Sequence, residues 1–227
     1  MDNIDCGKRK LSRGRVWGGE EVERSSIPWQ VAIFDHIHNE WQPVCGGTLI
    51  SPYHVLTAGH CMGFPNDCWR YSVGIGMHHG NVSDGTRIRI HHISNHPAYN
   101  PNRCPNNANG DIIPDFDISV LHLTDPFTFN NEVQPACLPD SSMFYGFLIG
   151  KNLTVSGWGQ GLISEVTSPV LRKATYPAVS NADCIKYNGN PKGCKVITFE
   201  MLCAGYPENR TASSGKGDSG GSIQCYL

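Results

Sequence analysis

The sequence has little charge of either sign and no long apolar run. Its 227 residues include 18 lysines and arginines against 20 aspartates and glutamates, and charged residues make up 17% of the chain. This balance offers no basic face for nucleic acid and no acidic tail. No stretch is apolar for long enough to cross a bilayer, and no apolar signal-peptide core precedes Cys6. We expect neither a nucleic-acid nor a membrane partner, and we interpret the N-terminus as incomplete.

Long segments with helical periodicity are also absent. Short apolar runs alternate instead with clusters of glycine, proline and asparagine, which is typical of strands. The runs cover residues 29–34, 71–76, 87–93, 118–123 and 222–227, and residues 180–187 alone suggest a short helix. The pattern predicts an all-β protein with an antiparallel barrel or sandwich. A chain of this length can bury the core of one large β domain or of two small barrels.

Cysteine, in contrast, is abundant. The ten cysteines are scattered without the paired C-x-x-C spacing of a zinc site, which indicates an oxidising compartment and disulfide bonds. Three N-x-[ST] sequons are candidate glycosylation sites, at Asn81, Asn152 and Asn209. We therefore predict a secreted, extracellular glycoprotein.

Ten histidines raise the alternative of a metal site. The segments HHG (78–80) and IHHI (90–93) each place two histidines side by side. Adjacent residues on a strand point to opposite faces, so neither pair is expected to bind one ion. We predict no bound metal and no cofactor.

Three short motifs carry the groups that nucleophilic catalysis needs. GDSGGS (217–222) holds Ser219 in a glycine-rich turn, where backbone N–H groups can converge on a developing oxyanion. TAGHC (57–61) supplies His60, and FDIS (116–119) supplies Asp117. A serine hydroxyl needs a base near neutral pH, and that imidazole needs a carboxylate to hold its tautomer. Asp115 is an alternative carboxylate, because strand alternation would place it on the same face as Asp117.

These motifs, in the order His, Asp, Ser, resemble the trypsin and chymotrypsin family of serine endopeptidases. The resemblance extends from about residue 16 to residue 227, and the matching segments are PWQVAI (28–33), CGGTLISPYHVLTAGHC (45–61), DISVLHL (117–123), VQPACLP (133–139), SGWG (156–159), MLCAG (201–205) and GDSGG (217–221). It implies two six-stranded antiparallel Greek-key barrels with the active site between them. The first barrel would span about residues 16–125 and the second about 126–227, after a propeptide segment at residues 1–15.

The resemblance also implies roles for individual residues. Ser219 would attack the scissile carbonyl, His60 would take and return its proton, and Asp117 would orient His60. The DISVLHL match selects Asp117 over Asp115. Backbone N–H groups of Gly217 and Ser219 would form the oxyanion hole. Such a protein would act as a monomer on protein or peptide substrates, with protein inhibitors of proteases as further partners.

Activation and specificity follow from two further segments. RVWGGEE (15–21) resembles the family's activation site, where an activating protease would cleave after Arg15. The freed amine of Val16 would then pair with Asp218. Trp17 departs from the small β-branched residue that the family prefers there. Ser213 stands where trypsin-like enzymes carry an aspartate, which predicts cleavage after an uncharged P1 residue.

Family positions further predict four disulfide bonds: Cys6–Cys137, Cys45–Cys61, Cys184–Cys203 and, as an additional bridge between two loops, Cys68–Cys104. Cys194 and Cys225 are left over, because the family partner position of Cys225 is Leu153 here. Met77 replaces the glutamate that usually begins the family's calcium loop, so we expect no bound calcium.

The resemblance breaks at the C-terminus. The chain stops eight residues after Ser219, whereas family members continue, so we expect a truncated second barrel that cannot close and weak turnover of this chain. Two interpretations remain open: an enzyme whose sequence is truncated, and a non-catalytic homologue that binds a partner through its loops. A cysteine-rich structural or lectin-like protein would explain the disulfides but not three catalytic motifs in order.

Overall fold

The computed structural model describes residues 5–9, 19–63, 66–80, 84–100, 115–140, 145–160, 167–187, 197–205 and 215–226. The strands are β1 (Glu20–Glu21), β2 (Gln30–Ile37), β3 (Glu40–Ser51), β4 (His54–Thr57), β5 (Tyr71–Ile75), β6 (Thr86–Asn95), β7 (Ser119–Leu123), β8 (Asn152–Gly157), β9 (Arg172–Val179), β10 (Cys203–Ala204) and β11 (Ile223–Cys225). The helix α1 covers Asn181–Tyr187, and short 3-10 turns cover Gly59–Cys61, Cys68–Arg70 and Tyr145–Phe147. Within these residues, no helix is long and apolar enough to cross a membrane.

Six strands close into an antiparallel barrel in the order β2-β3-β4-β7-β6-β5. Its interior is filled by alternate apolar side chains that have no measurable exposure, among them Val31, Ile33, Leu49, Val73 and Leu121. Each such side chain stabilises the fold by about 1.5–3 kcal/mol through its burial. The apolar runs at 29–34, 71–76, 87–93 and 118–123 all lie on barrel strands. The expectation of an all-β antiparallel fold is therefore confirmed.

The pairing of β4 with β7 decides where the candidate site lies. The two strands are antiparallel, and their register pairs Thr57 with Ser119. The end of β4 and the start of β7 therefore meet at one edge of the barrel. The residues that follow β4 and precede β7 are brought together there, and these are His60 and Asp117.

A second antiparallel sheet has the order β1-β9-β8-β11, and β10 pairs with β9. Within the described residues this sheet does not close on itself. The apolar run at 222–227 contributes β11, and the segment at 180–187 forms α1, as expected. The backbone N–H of Asp183 in α1 donates to Ser180 Oγ at 3.0 Å, which caps the helix start. Strand β1 comes from the range expected for the first barrel, yet it pairs with β9.

The barrel and the second sheet pack against each other. Trp158 and Leu171 belong to the second sheet and its loops, but they lie in the same hydrophobic cluster as the barrel core. Trp158 Nε1–H donates to the carbonyl of His78 at 3.0 Å. Ser156 Oγ donates to Gln30 Oε1 at 2.6 Å, and both residues are buried. These contacts fix the boundary at which the candidate site is built.

Candidate active site

His60 lies on the 3-10 turn that follows β4. The next residue, Cys61, forms a disulfide bond with Cys45 on β3, across a sequence separation of 16 residues. A bridge of this span contributes about 3 kcal/mol through the entropy of the unfolded chain. On the other side, a Cβ added at Gly59 would lie 3.0 Å from the ring of Tyr99. The turn that carries His60 is thus bonded to one strand and packed against an aromatic ring.

Asp117 lies in the turn before β7 and contacts His60 at two points. Its Oδ1 accepts from the backbone N–H of His60 at 2.7 Å, and its Oδ2 contacts Nδ1 of the imidazole at 2.6 Å. The preceding residue, Phe116, has φ of 55° and stacks on His96 with ring centroids 4.7 Å apart. A left-handed backbone conformation is unusual for a phenylalanine. Here it turns the chain so that Asp117 lies at the barrel edge.

Asp115 occupies a different environment. Its carboxylate is buried and accepts from Thr198 Oγ1 at 2.8 Å. The alternation that made it an alternative to Asp117 does not apply, because both residues lie outside β7 and the chain turns at Phe116. The structure therefore places Asp117, and not Asp115, against His60.

The contact with Asp117 sets the electrostatics of His60. An ionised carboxylate can only accept hydrogen bonds, so Nδ1 carries the proton in this pair and Nε2 keeps a lone pair. The hydrogen bond to Asp117 raises the pKa of His60 above its ordinary value of 6.5, and partial burial opposes that shift. The imidazole is half exposed, so its Nε2 can reach a substrate or a nucleophile.

The candidate nucleophile segment, residues 217–220, is built around the side chain of Asp218. Its Oδ1 accepts from the N–H of Gly159 at 2.7 Å, and its Oδ2 accepts from the N–H of Gly215 at 2.8 Å. A Cβ at Gly157 or at Gly159 would overlap the Asp218 carboxylate. The two glycines of SGWG therefore leave the space in which Asp218 anchors the turn before Ser219.

Ser219 is attached to the first barrel through its own backbone. The N–H of Gly46 on β3 donates to the carbonyl of Ser219 at 2.7 Å. The next residue, Gly220, has φ of 77° and lies against Gly46 and Thr57. Thr57 Oγ1 in turn donates to the carbonyl of Gly46 at 2.9 Å. The Ser219 segment is thus docked on the middle of β3 and on the end of β4 that leads to His60.

The predicted hydrogen bond between Ser219 and His60 is not formed among the described residues. Among the described residues, no hydrogen bond joins Ser219 Oγ to His60 Nε2, and the N–H groups of Gly217 and Ser219 have no protein acceptor. Catalytic hydrogen bonds often tighten only when a substrate binds. The N–H groups of Gly217 and Ser219 therefore remain candidates for an oxyanion hole, which needs donors without protein acceptors.

Several residues of the site were not assigned a role from the sequence. Gln30, Gly46, Gly157 and Gly159 lie in the matching segments PWQVAI, CGGTLI and SGWG, but spacing along the chain does not show which groups they contact. The signal that could have identified them is a buried polar residue or a glycine inside such a segment.

Three of the expected disulfide bonds are present. Cys6 is joined to Cys137, Cys45 to Cys61 and Cys184 to Cys203. Cys225 on β11 is a free thiol, and its register partner on β8 is Leu153.

Asn152 is exposed at the start of β8. Six predicted residues lie outside the part of the chain that the structure describes: Arg15, Val16, Asn81, Cys104, Asn209 and Ser213.

One group of potential metal ligands includes His60. In the described ranges, Cys45, His60 and Cys61 are the only set of three such residues whose ligand atoms all lie within 4.8 Å of one another. Both sulfurs are bonded to each other, so neither is available as a thiolate ligand. His60 therefore remains a candidate base in contact with Asp117.

A closed six-stranded barrel, a second antiparallel sheet, and a histidine, aspartate and serine at their boundary are the arrangement expected of the serine protease class. The Trypsin family model matches residues 16–226, and the chain belongs to this family. Transmembrane protease serine 9 from Rattus norvegicus is 33% identical over 226 residues, which cover 97% of this chain. The chain spans 19% of the length of that relative.

Proposed function

We propose that this chain is a serine endopeptidase that cleaves peptide bonds through an acyl-enzyme on Ser219. The observation that carries the proposal is the double contact of Asp117 with His60, at 2.7 Å and 2.6 Å. It fixes both the position and the tautomer of the imidazole. The docking of the Ser219 segment on Gly46 and Thr57 supports the same assignment.

In the proposed reaction, Ser219 Oγ attacks the scissile carbonyl and its proton moves to His60 Nε2. Asp117 stabilises the imidazolium through Nδ1–H, and His60 then gives the proton to the leaving amine. Water repeats these steps to release the acyl group. The N–H groups of Gly217 and Ser219 bind the oxyanion, and one such donor contributes about 2.7–4 kcal/mol to transition-state stabilisation.

Activation is proposed to follow cleavage after Arg15 by another protease. The new amine of Val16 would pair with Asp218, whose carboxylate has only backbone donors among the described residues. The ammonium group of Val16 would give the partly buried Asp218 carboxylate a charged partner. This ion pair would order the turn that carries Gly217. The Cys6–Cys137 bond would keep the cleaved segment attached to the protease domain.

The proposed specificity rests on Ser213. An uncharged residue at the base of the P1 pocket leaves a buried lysine or arginine side chain without a counter-ion. The pocket is therefore expected to take uncharged P1 residues.

The disulfide bonds fit an extracellular environment, since reducing compartments do not maintain them. We extend this to secretion of a monomer, with glycans on Asn81, Asn152 and Asn209. Its partners would be protein substrates, the activating protease and protein protease inhibitors.

The function is tested with two peptidyl phosphonate probes that differ only in P1, phenylalanine in one and lysine in the other. After cleavage at Arg15, the phenylalanine probe is expected to label Ser219 at least about 10-fold faster than the lysine probe, because the pocket lacks a counter-ion. The uncut chain is expected to react slowly with both. Mass spectrometry of the labelled peptide identifies the modified residue, and Ser219→Ala is the control.

Labelling that persists in Ser219→Ala would contradict the assignment of the nucleophile. Faster reaction with the lysine probe would overturn the proposed specificity alone. A folded, cleaved chain that reacts with neither probe would contradict the proposal that this chain is an active endopeptidase.

The pH dependence of kcat/KM provides a second test. His60 must be neutral to accept a proton, and its contact with Asp117 raises its pKa above 6.5. Activity is therefore expected to rise with pH through a pKa above 6.5 and to fall about tenfold per unit on the acid side. The stability that this contact adds has the opposite dependence, because it is complete below pH 6.5 and is lost as pH rises through the raised pKa. An acid limb centred well below 6.5 would contradict His60 as the base.

A further inference from the structure

The outer face of the first barrel carries a cluster of histidines, away from the candidate active site. His54 on β4, His122 on β7 and His92 on β6 lie on three neighbouring strands, and the register pairs His122 with both of the others. The ring centroids of His54 and His122 are 4.9 Å apart, and those of His92 and His122 are 5.3 Å apart. His122 is thus the centre of a row of three imidazoles.

A β-bulge increases the number of histidines on this face. The register of β6 shifts between Ile90 and His92, so strict alternation is interrupted there. His91 and His92 are both exposed as a result. The expectation that adjacent histidines of IHHI point to opposite faces fails at this bulge.

Two of the rings already have hydroxyl partners. His54 Nδ1 lies 2.6 Å from Ser51 Oγ, and His122 Nε2 lies 2.9 Å from Ser94 Oγ. When these nitrogens donate to the hydroxyls, the other ring nitrogen keeps a lone pair. Histidines that bind metals usually donate their second N–H in this way, which fixes tautomer and ring orientation.

We propose that His54, His92 and His122 bind a divalent transition-metal ion, with zinc as its probe. Two imidazoles on one tetrahedral zinc, with Zn–N bonds of about 2.0–2.1 Å, have ring centroids about 5 Å apart. The observed separations of 4.9 Å and 5.3 Å match this value. Imidazole is a ligand for zinc, copper and nickel, whereas calcium and magnesium take oxygen ligands.

The three sets of ring nitrogens do not yet meet within 4.8 Å of one another. Metal binding would therefore require the exposed His92 side chain to rotate, while His54 and His122 stay on their serine partners.

The site would join strands that also lead to the candidate active site. The pair His54–His122 lies at one end of the β4–β7 ladder, and Thr57–Ser119 lies at the other. The two ends are three residue steps apart along each strand, or about 10 Å. Bound zinc would cross-link the two strands that position His60 and Asp117, so it should raise the thermal stability of the barrel.

The test is calorimetric titration and thermal unfolding of the full chain with zinc at pH 7.5. We expect one saturable site on this face and a rise in Tm on the order of 5 °C at zinc concentrations about 100-fold above Kd. His122→Gln should weaken binding at least 10-fold, and Ser94→Ala, which keeps all three ligands, about 10-fold. Magnesium should not shift Tm.

His36→Gln, on strand β2, and His60→Gln are the matched controls, and both should bind zinc as the unchanged chain does. If His122→Gln does not fold, the exposed His92→Gln replaces it, with the same expected loss. Equal zinc affinity in the cluster variants and the controls would overturn the proposal. The absence of saturable binding to the unchanged chain would overturn it as well.

Discussion

Replacing Asp117 with asparagine is expected to lower kcat by about 10⁴-fold while the fold is preserved. The reason lies in the two donors that Asp117 serves. The backbone N–H of His60 can only donate, so the one carbonyl oxygen of asparagine would remain on it. The amide NH₂ would then face Nδ1, which would have to lose its proton. The proton would move to Nε2, and His60 could no longer accept the proton of Ser219.

The matched control for this variant is Asp115→Asn. It makes the same change two residues away, on a carboxylate that contacts Thr198 instead of His60. We expect it to reduce stability because Asp115 is buried, but to leave kcat within a few-fold of the unchanged enzyme. Steady-state kinetics normalised by active-site titration, together with Tm, separates the two effects. Similar losses of kcat in both variants would contradict the assignment of Asp117.

Most of the first barrel could be predicted from the sequence. Its strands are short apolar runs bounded by turn residues, and this pattern depends on local sequence alone. Barrel closure could not be predicted in the same way, because it depends on the pairing of β2 with β5, and β3 and β4 lie between these two strands along the chain. The resemblance supplied this topology. Strand β1 shows the limit, since only its pairing with β9 assigns it to the second sheet.

Candidate site residues could also be proposed from the sequence, but their geometry could not. Asp115 and Asp117 differ in position because Phe116 adopts a left-handed conformation, which single-sequence patterns do not reveal for a phenylalanine. The bulge beside His92 is a similar case, since it depends on how β6 pairs with β7. In both places a local departure from strand geometry decides which side chains meet. Periodicity arguments assume that no such departure occurs.

Glycine contacts are the third feature that required the structure. The sequence shows that Gly220 follows Ser219, but it does not show what lies opposite. A Cβ added there would lie 2.6 Å from the carbonyl oxygen of Gly46 and 3.0 Å from the backbone nitrogen of Ala58, and it would overlap Thr57 Oγ1. Two of these contacts are with backbone atoms, which cannot rotate away. The nucleophile segment and the His60 turn are therefore close enough that only glycine fits between them.

Gly220→Ala is accordingly expected to lower kcat/KM on the order of 10²-fold or more. The added methyl group would push the Ser219 segment away from β3 and β4, and a displacement of about 1 Å between reacting groups has a cost of this size. The rate of labelling by a phosphonate probe should fall in parallel, because it depends on the same placement of Ser219 and His60. Kinetics and labelling of the activated protein provide the measurement.

Gly150→Ala separates this displacement from backbone strain. Gly150 has the same φ of 77° as Gly220, but no atom lies within 4 Å of a Cβ added there. Both variants should lose about 1–2 kcal/mol of stability because both place an alanine in the left-handed region, and Gly220→Ala should lose more because its methyl group also overlaps neighbouring atoms. Only Gly220→Ala should also lose activity, since only its methyl group meets the backbone that leads to His60. Full activity of Gly220→Ala, or equal losses in the two variants, would show that close packing at Gly220 does not position the nucleophile.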